Sequence, residues 1–195
     1  IENLARVDVL CLDKTGTLTE GSMYLEGIEP LMEEKFSSYN IKTALYQFSH
    51  TLQDNNSTYT AVRERSEEFF PEDSVPALWN CSSTMAFSSA RKWSLVDFEK
   101  EGTFVLGAPE FVFPAQKDSL LERCSYHINK GMRVLVFAHS RQHFDGETLP
   151  EYLTPIAFLL LTDKLRPDAE ETLEFFKKQE VTLKIISGDN PQAVA

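Results

Sequence analysis

The residues best suited to chemistry lie near the start of the chain, where a polar loop follows a short apolar run. Residues 6–12 (RVDVLCL) have the composition of a buried strand. The loop DKTGTLT begins at Asp13. Because ligands bind at the carboxyl ends of parallel strands, an aspartate there can attack a phosphoryl group and form an aspartyl phosphate. The alternative interpretation is that Asp13 only caps a turn.

The same loop contains the other groups that this chemistry needs. Hydroxyls such as that of Thr17, together with nearby backbone N–H groups, can donate hydrogen bonds to phosphoryl oxygens. Carboxylate and carbonyl oxygens can hold the Mg²⁺ ion that offsets the charge of the phosphate.

The seven residues DKTGTLT resemble the signature of the P-type ATPases, ion pumps that phosphorylate themselves on an aspartate. The resemblance implies that Asp13 is the nucleophile, with Lys14, Thr15 and Thr17 as further catalytic residues. It also implies that the Asp13 carboxylate and the Thr15 carbonyl hold Mg²⁺, with Thr17 near the phosphate. Soluble phosphatases of the same haloacid-dehalogenase-like superfamily usually carry an acidic residue two positions after the nucleophile. Since Thr15 stands there, the sequence favours a pump over a soluble phosphohydrolase, which stays the alternative.

Two later segments follow the same family pattern in the same order. DKLR, from Asp163 to Arg166, resembles the Asp-Pro-x-Arg segment of the family, with Lys164 in place of proline. SGD resembles Thr-Gly-Asp. The resemblance assigns Asp163 and Arg166 to nucleotide binding and adds three catalytic residues: Ser187, Gly188 and Asp189. A loop followed by a helix cap is the alternative for residues 163–166.

A nucleotide site is indicated by the segment AFSSARKWS. The face of Phe87 can stack on a purine, and Arg91 and Lys92 can meet its phosphates. A β-hairpin with a core phenylalanine and solvated charges is the alternative. The segment is similar to a motif of the P-type nucleotide-binding domain, which implies that Phe87 stacks on adenine and Lys92 borders the base and the phosphates.

Two more segments resemble that domain. LGAPE is similar to Lys-Gly-Ala-Pro-Glu, with Leu106 replacing the lysine. Leucine offers neither charge nor hydrogen bond, so we expect weaker ATP binding or apolar contact there. Gly107 and Ala108 let the backbone approach a ligand closely. GMRVL implies that Arg133 reaches the phosphates, an exposed strand-edge arginine being the alternative. Residues 58–60 match the acidic position of the family poorly.

The elements that must position these residues form two groups. Strands are predicted at 83–87, 92–98, 103–106, 133–139, 156–162 and 182–187, and helices at 38–52, 60–70, 119–129 and 167–179. Residues 20–30 are poorly periodic and predict a connector. The continuous apolar run at 156–162 is typical of a parallel strand buried on both faces. The middle strands, separated by small or polar turns, predict an antiparallel sheet.

We therefore expect an α/β fold: an incomplete Rossmann-like, haloacid-dehalogenase-like parallel-sheet domain with an inserted α+β nucleotide-binding domain built on an antiparallel sheet. Residues 1–20 and 156–195 would form the phosphorylation domain, and residues 21–155 the nucleotide-binding domain. The phosphate-binding lysine and the second magnesium motif of the family do not occur in these 195 residues. We expect that this chain alone does not form a phosphoenzyme, and a nucleotide-binding module without turnover is a further alternative for it.

Composition excludes several other classes. A net charge of −11 argues against binding to nucleic acid or to anionic lipid. No apolar run approaches the roughly 18 residues of a membrane helix, so no direct membrane insertion is expected. Three widely spaced cysteines indicate reduced thiols.

The resemblance also implies cofactors and partners. The cofactors are ATP and Mg²⁺, and the partners are the actuator and transmembrane domains of the same polypeptide, at the cytoplasmic face of a bacterial plasma membrane. The motif forms are similar to a prokaryotic branch associated with divalent cations, including calcium.

Overall fold

The computed structural model describes residues 7–32 and 37–186, which contain two separate sheets. The smaller is parallel and pairs β1 (Val9–Asp13) with β8 (Thr182–Ile186). The larger is antiparallel and has six strands, in the spatial order β2 (Thr19–Pro30), β7 (Thr154–Leu165), β6 (Arg133–Ser140), β5 (Gly102–Gly107), β4 (Trp93–Phe98) and β3 (Cys81–Met85). One parallel and one antiparallel sheet agree with the predicted fold class.

Within the described residues, five α-helices accompany the sheets: α1 (Ser38–Thr51), α2 (Ser57–Glu67), α3 (Pro109–Val112), α4 (Lys117–Asn129) and α5 (Ala169–Lys178). The helices predicted at 38–52, 119–129 and 167–179 are confirmed. The second helix begins three residues before the predicted start. The Asn56 side chain accepts a hydrogen bond from the backbone N–H of Tyr59, and this cap fixes the start at Ser57.

The antiparallel sheet has an apolar core on each face. Alternate residues of a strand face opposite sides, so Phe104 joins one core and Val105 the other. The first core contains Phe48 of α1 and Tyr59 of α2. The second contains Cys124 of α4. Because both faces are covered, β4 and β5 are buried along their whole length.

Two predictions about the strands are wrong. Residues 20–30 are not a connector but belong to β2, which pairs with β7. The register of this pair shifts between Thr19 and Met23 and again between Leu25 and Gly27, and these irregularities break the alternation that a strand normally shows. The apolar run at 156–162 lies in β7, which is antiparallel to both of its neighbours. The strand is buried continuously because both of its faces are covered, as predicted, but it runs antiparallel and not parallel to its neighbours.

The remaining strands were predicted to within three residues at each end. Strand β2 runs unbroken through residues 20 and 21, and β7 through residues 155 and 156, so the proposed domain division stays a prediction. Within the described ranges, no helix has the length and apolar character that crossing a membrane requires. The helix expected after residue 187 lies outside the described residues.

Candidate functional site

Asp13 is the last residue of β1, at the carboxyl end of the parallel pair, opposite Ile186. Its side chain is exposed. A single π-helical turn, Lys14–Leu18, follows it. The turn is closed by a hydrogen bond of 3.1 Å from the Gly16 backbone N–H to Thr19 Oγ1, and Gly16 adopts a left-handed φ of 81°. Buried Thr19 anchors the turn, which leaves the Asp13 carboxylate on the solvent side.

Thr17 is exposed in the same turn, close in sequence to Asp13. The side chains of Lys14 and Thr15 lie outside the described part of the structure. So do Ser187, Gly188 and Asp189, whose assignment to the site stays a prediction.

Arg166 fastens the end of β7 to the Asp13 turn. Its backbone N–H donates to the Leu18 carbonyl at 3.0 Å, and its Nη2 donates to the Gly16 carbonyl at 3.1 Å. Nearby, Lys164 Nζ forms an ion pair of 3.0 Å with Glu20 Oε2. The lysine in place of the family's proline thus links β7 to β2. Arg166 and Asp163 were predicted to bind nucleotide. The structure places Asp163 on β7 opposite Met23, and Arg166 just after β7 in contact with the Asp13 turn.

A second part of the site is a cavity of about 510 Å³ at one edge of the antiparallel sheet. Five of the residues predicted to bind nucleotide line it: Phe87, Lys92, Gly107, Ala108 and Arg133. The residues before β4, the end of β5 and the start of β6 meet at this edge because the strands are antiparallel. The first turn of α2 and the apolar side chains Leu121 and Ile128 of α4 complete the wall. We call it the Phe87 cavity.

Lys92 has a left-handed backbone with a φ of 60°, which is unusual for a residue that carries a Cβ. Two hydrogen bonds hold it there. Its N–H donates to the Ser88 carbonyl at 2.8 Å, and its carbonyl accepts from the Ala108 N–H at 3.0 Å. Because these hydrogen bonds fix the backbone of Lys92, its side chain extends from a defined position beside the cavity.

Phe87 and the two cations of the cavity have the properties that a nucleotide requires. The Phe87 ring is 40% exposed, which is high for a phenylalanine and leaves its face free for stacking. Arg133 Nη1 donates to Thr58 Oγ1 at 3.3 Å. Among the described residues, no carboxylate forms an ion pair with Lys92 or Arg133, so both charges are available to an anion.

Arg91 was predicted to meet the nucleotide phosphates, and this role stays a prediction. Its Nη2 donates to the Ala86 carbonyl at 2.7 Å, and its guanidinium lies 5.4 Å from the centre of the Trp93 ring. It is not among the residues that line the Phe87 cavity. The side chain therefore stabilises the turn that carries Phe87 and Lys92.

Leu106, which stands where the family has lysine, is 2% exposed and packs in the core with Phe48 and Tyr59. The Ser94 hydroxyl donates to the Leu106 carbonyl at 3.2 Å and is also hydrogen-bonded to the Tyr59 hydroxyl. Burial raises the pKa of Tyr59, so the phenol stays neutral. A neutral, packed wall occupies this side of the cavity.

Sequence reasoning missed part of the wall. Asn56 and Ser57 line the cavity but belong to no recognised motif, and Thr58 and Tyr59 had matched the family poorly. Glu110 ends the LGAPE segment and also lines the cavity, although no role was predicted for it. The asparagine cap before α2 was the available signal, because it shows where the helix start must lie.

The described residues contain no group of three histidine, cysteine or acidic side chains that could hold a metal ion. The Asp13 carboxylate is the kind of oxygen donor that Mg²⁺ prefers, but one carboxylate alone does not form a site. The described part of the chain therefore supplies one ligand and not a complete magnesium site.

Comparison with known proteins identifies one family and several similar proteins that are named as cation-transporting ATPases. Residues 7–195 match the family of haloacid dehalogenase-like hydrolases. The chain is 40% identical to the "Probable cation-transporting ATPase exp7" of Streptococcus pneumoniae over 197 residues. This match covers the whole chain and 24% of the relative. It is 35% identical to the calcium-transporting ATPase CtpE of Mycolicibacterium smegmatis, again over the whole chain and 23% of the relative. The chain thus spans about a quarter of the length of these proteins.

Solved structures share the fold. A zinc-transporting PIB-type ATPase in the E2.Pi state matches with a TM-score of 0.69 and 21% identity, over 100% of this chain and 28% of that one. The catalytic domain of the CPx-ATPase CopB-B matches with a TM-score of 0.60 and 14% identity, over 99% of this chain and 58% of that one.

Proposed function

Because the chain belongs to the haloacid dehalogenase-like hydrolases, we propose that it is the catalytic portion of an ATP-driven cation pump. In this proposal ATP binds in the Phe87 cavity, and in the complete protein its γ-phosphate is transferred to Asp13. The relatives named as cation-transporting ATPases support this assignment over a soluble phosphohydrolase. The same proposal includes cation transport by the complete protein, its transmembrane domains, and a position of this chain at the cytoplasmic face of the membrane.

The observation that carries the nucleotide part is the convergence of motif residues on one cavity. Phe87, Gly107 and Arg133 are far apart in sequence, and the antiparallel sheet brings them to one edge. In the proposed complex the adenine ring lies on Phe87, and Lys92 and Arg133 meet the phosphates. Gly107 and Ala108 let the backbone come close to the ligand.

The phosphoryl-transfer part depends on Asp13. A carboxylate oxygen of Asp13 attacks the γ-phosphorus in line with the β–γ bridging oxygen. The new O–P bond forms the aspartyl phosphate, the old P–O bond breaks, and its electron pair leaves with ADP. Arg166 and the Gly16–Thr19 hydrogen bond hold the turn that presents the carboxylate.

Magnesium supplies charge neutralisation on the transferring phosphoryl group when it is bound. The residues of this chain that we propose as ligands are Asp13, through its carboxylate, and Thr15, through its backbone carbonyl. We propose that the phosphate is surrounded by Thr17 and by three residues outside the described part of the chain, Ser187, Gly188 and Asp189.

Phosphate incorporation from γ-labelled ATP into the full-length protein tests the proposal. We expect an acid-stable, hydroxylamine-labile label that is abolished by Asp13→Asn and weakened by Phe87→Ala. A label that persists in Asp13→Asn would contradict the assignment of the nucleophile. The 195-residue chain alone is expected to bind ATP without forming this label.

A further inference from the structure

A second, larger cavity lies at the opposite end of the strands that form the Phe87 cavity. It has a volume of about 1130 Å³. Strand β5 contributes Phe104 here and Gly107 to the Phe87 cavity, and β6 contributes His139 here and Arg133 there. The antiparallel sheet separates the two cavities by the length of these strands. We call the second one the distal cavity, and the proposed function makes no use of it.

One side of the distal cavity is aromatic. The Trp79 and Phe104 ring centres are 6.0 Å apart, and those of Phe104 and His139 are 4.6 Å apart. Phe104 is buried, while Trp79 and His139 are partly exposed to the cavity. His139 Nε2–H donates to the Glu101 carbonyl at 2.7 Å, which fixes the orientation of the imidazole. The wall therefore offers flat ring surfaces in defined positions.

The other notable feature of the distal cavity is its charge. Lys100 and Arg141 line it, and neither side chain forms an ion pair or a hydrogen bond with any of the described residues. Glu101 supplies the single carboxylate among the described lining residues. Two cations around one cavity, both without an ion-pair partner in the described part of the chain, are unusual in a protein whose net charge is −11. The local positive charge favours an anion in this cavity although the chain as a whole is acidic.

We propose that the distal cavity binds a small planar organic anion, a ring that carries a phosphate or carboxylate group. The ring packs against Trp79 and His139, and the anionic group lies between Lys100 and Arg141. Arginine and lysine both bind such groups through charge-assisted hydrogen bonds. This site is separate from the Phe87 cavity and does not depend on the proposed function.

Site-resolved NMR of the 195-residue chain tests the proposal with three probes. AMP carries both a ring and a phosphate, adenosine lacks the charge, and inorganic phosphate lacks the ring. The indole N–H signal of Trp79 is assigned by its loss in Trp79→Phe. We expect saturable shifts of this signal and of the Arg141 amide with AMP, and much smaller shifts with either partial probe.

Charge reversal gives the matched comparison. The double variant Lys100→Glu, Arg141→Glu is expected to weaken AMP binding at Trp79 by about tenfold or more, since charge-assisted hydrogen bonds are lost. Lys117→Glu changes a lysine outside both cavities and should leave it unchanged. Phe87→Ala changes the Phe87 cavity and leaves the distal cavity intact, so the Trp79 response to AMP should persist in this variant.

Four results would overturn the proposal. The first is no saturable Trp79 shift with AMP up to about 10 mM, a concentration well above a millimolar dissociation constant. The second is an equal response to adenosine or to phosphate, and the third is an unchanged affinity after charge reversal. The fourth is loss of the Trp79 response in Phe87→Ala, which would mean that the signal reports the Phe87 cavity.

Discussion

Gly107 lies so close to Trp93 that a Cβ added at position 107 would sit 2.5 Å from Trp93 Cβ and 2.7 Å from the Lys92 carbonyl oxygen. The two residues are directly opposite each other in the β4–β5 pair. Next to this close approach, the Lys92 carbonyl accepts a hydrogen bond of 3.0 Å from the Ala108 N–H. The motif glycine is thus required by the strand packing that shapes the Phe87 cavity.

Gly107→Ala should disturb both the fold and the cavity. The new methyl group meets backbone atoms that cannot rotate away, so we expect a loss of about 1–3 kcal/mol in the free energy of unfolding. ATP affinity should fall as well, because Lys92 moves. Chemical denaturation and an ATP titration measure the two effects. Gly27→Ala is the control, since its Cβ would meet only Leu160 Cδ1 at an ordinary 3.5 Å. Equal effects of the two substitutions would contradict this account.

Replacing Lys92 separates backbone strain from charge. Lys92→Ala removes the ammonium and keeps a Cβ in the left-handed conformation, whereas Lys92→Gly removes both. We expect the glycine variant to be more stable than the alanine variant by about 1 kcal/mol, because only glycine adopts a φ of 60° without strain. Both variants should bind ATP about tenfold more weakly, since each loses one charged contact. A glycine variant that keeps the affinity of the unmodified chain would exclude Lys92 from the site.

Arg166→Ala should loosen the Asp13 turn. The substitution removes the guanidinium bond to the Gly16 carbonyl and keeps the backbone bond to Leu18. We expect faster hydrogen exchange of the Gly16 N–H and a stability loss of about 1 kcal/mol. Lys164→Ala is the matched control, because it removes only an exposed ion pair worth about 0–1 kcal/mol. Unchanged exchange at Gly16 in Arg166→Ala would show that the guanidinium does not hold the turn.

His139 predicts a pH dependence of stability. Burial lowers the pKa of His139. The hydrogen bond to the Glu101 carbonyl opposes this effect, and the nearby Arg141 charge adds a smaller lowering. The folded state therefore favours the neutral ring, and the unfolded state binds the proton more readily. Stability is full above the ordinary pKa of 6.5 and falls as the pH drops through the lowered folded value. Denaturation curves between about pH 8 and pH 5 should show this decrease, and His139→Gln should reduce it.

Motif residues were the most predictable part of the site. Phe87, Lys92, Gly107, Ala108 and Arg133 lie along one cavity, because a motif constrains backbone approach and charge at the same time. The roles of Arg91 and Arg166 could not be read in this way. A guanidinium has five donors and serves carbonyl groups as well as phosphates, so only geometry shows that Arg91 binds Ala86 and Arg166 binds Gly16.

Strand β2 and the direction of β7 show two further limits of prediction from the sequence. Bulges hide β2 by shifting which residues face the core, although Met23 and Leu25 are buried as strand residues should be. Continuous apolar character reports burial on two faces and carries no information on strand direction. The distal cavity had no sequence signal at all, since Trp79, Lys100 and Arg141 lie in three different connecting segments that only the fold brings together.

An amide NMR titration of the 195-residue chain with ATP, with and without Mg²⁺, is the decisive test of nucleotide binding in the Phe87 cavity. We expect saturable shifts that cluster on Phe87, Lys92, Gly107 and Arg133, the residues that line this cavity despite Leu106. No saturable shift of these four up to about 5 mM ATP, a concentration above a millimolar dissociation constant, would contradict it. The nucleotide assignment of the Phe87 cavity would then be withdrawn for this chain.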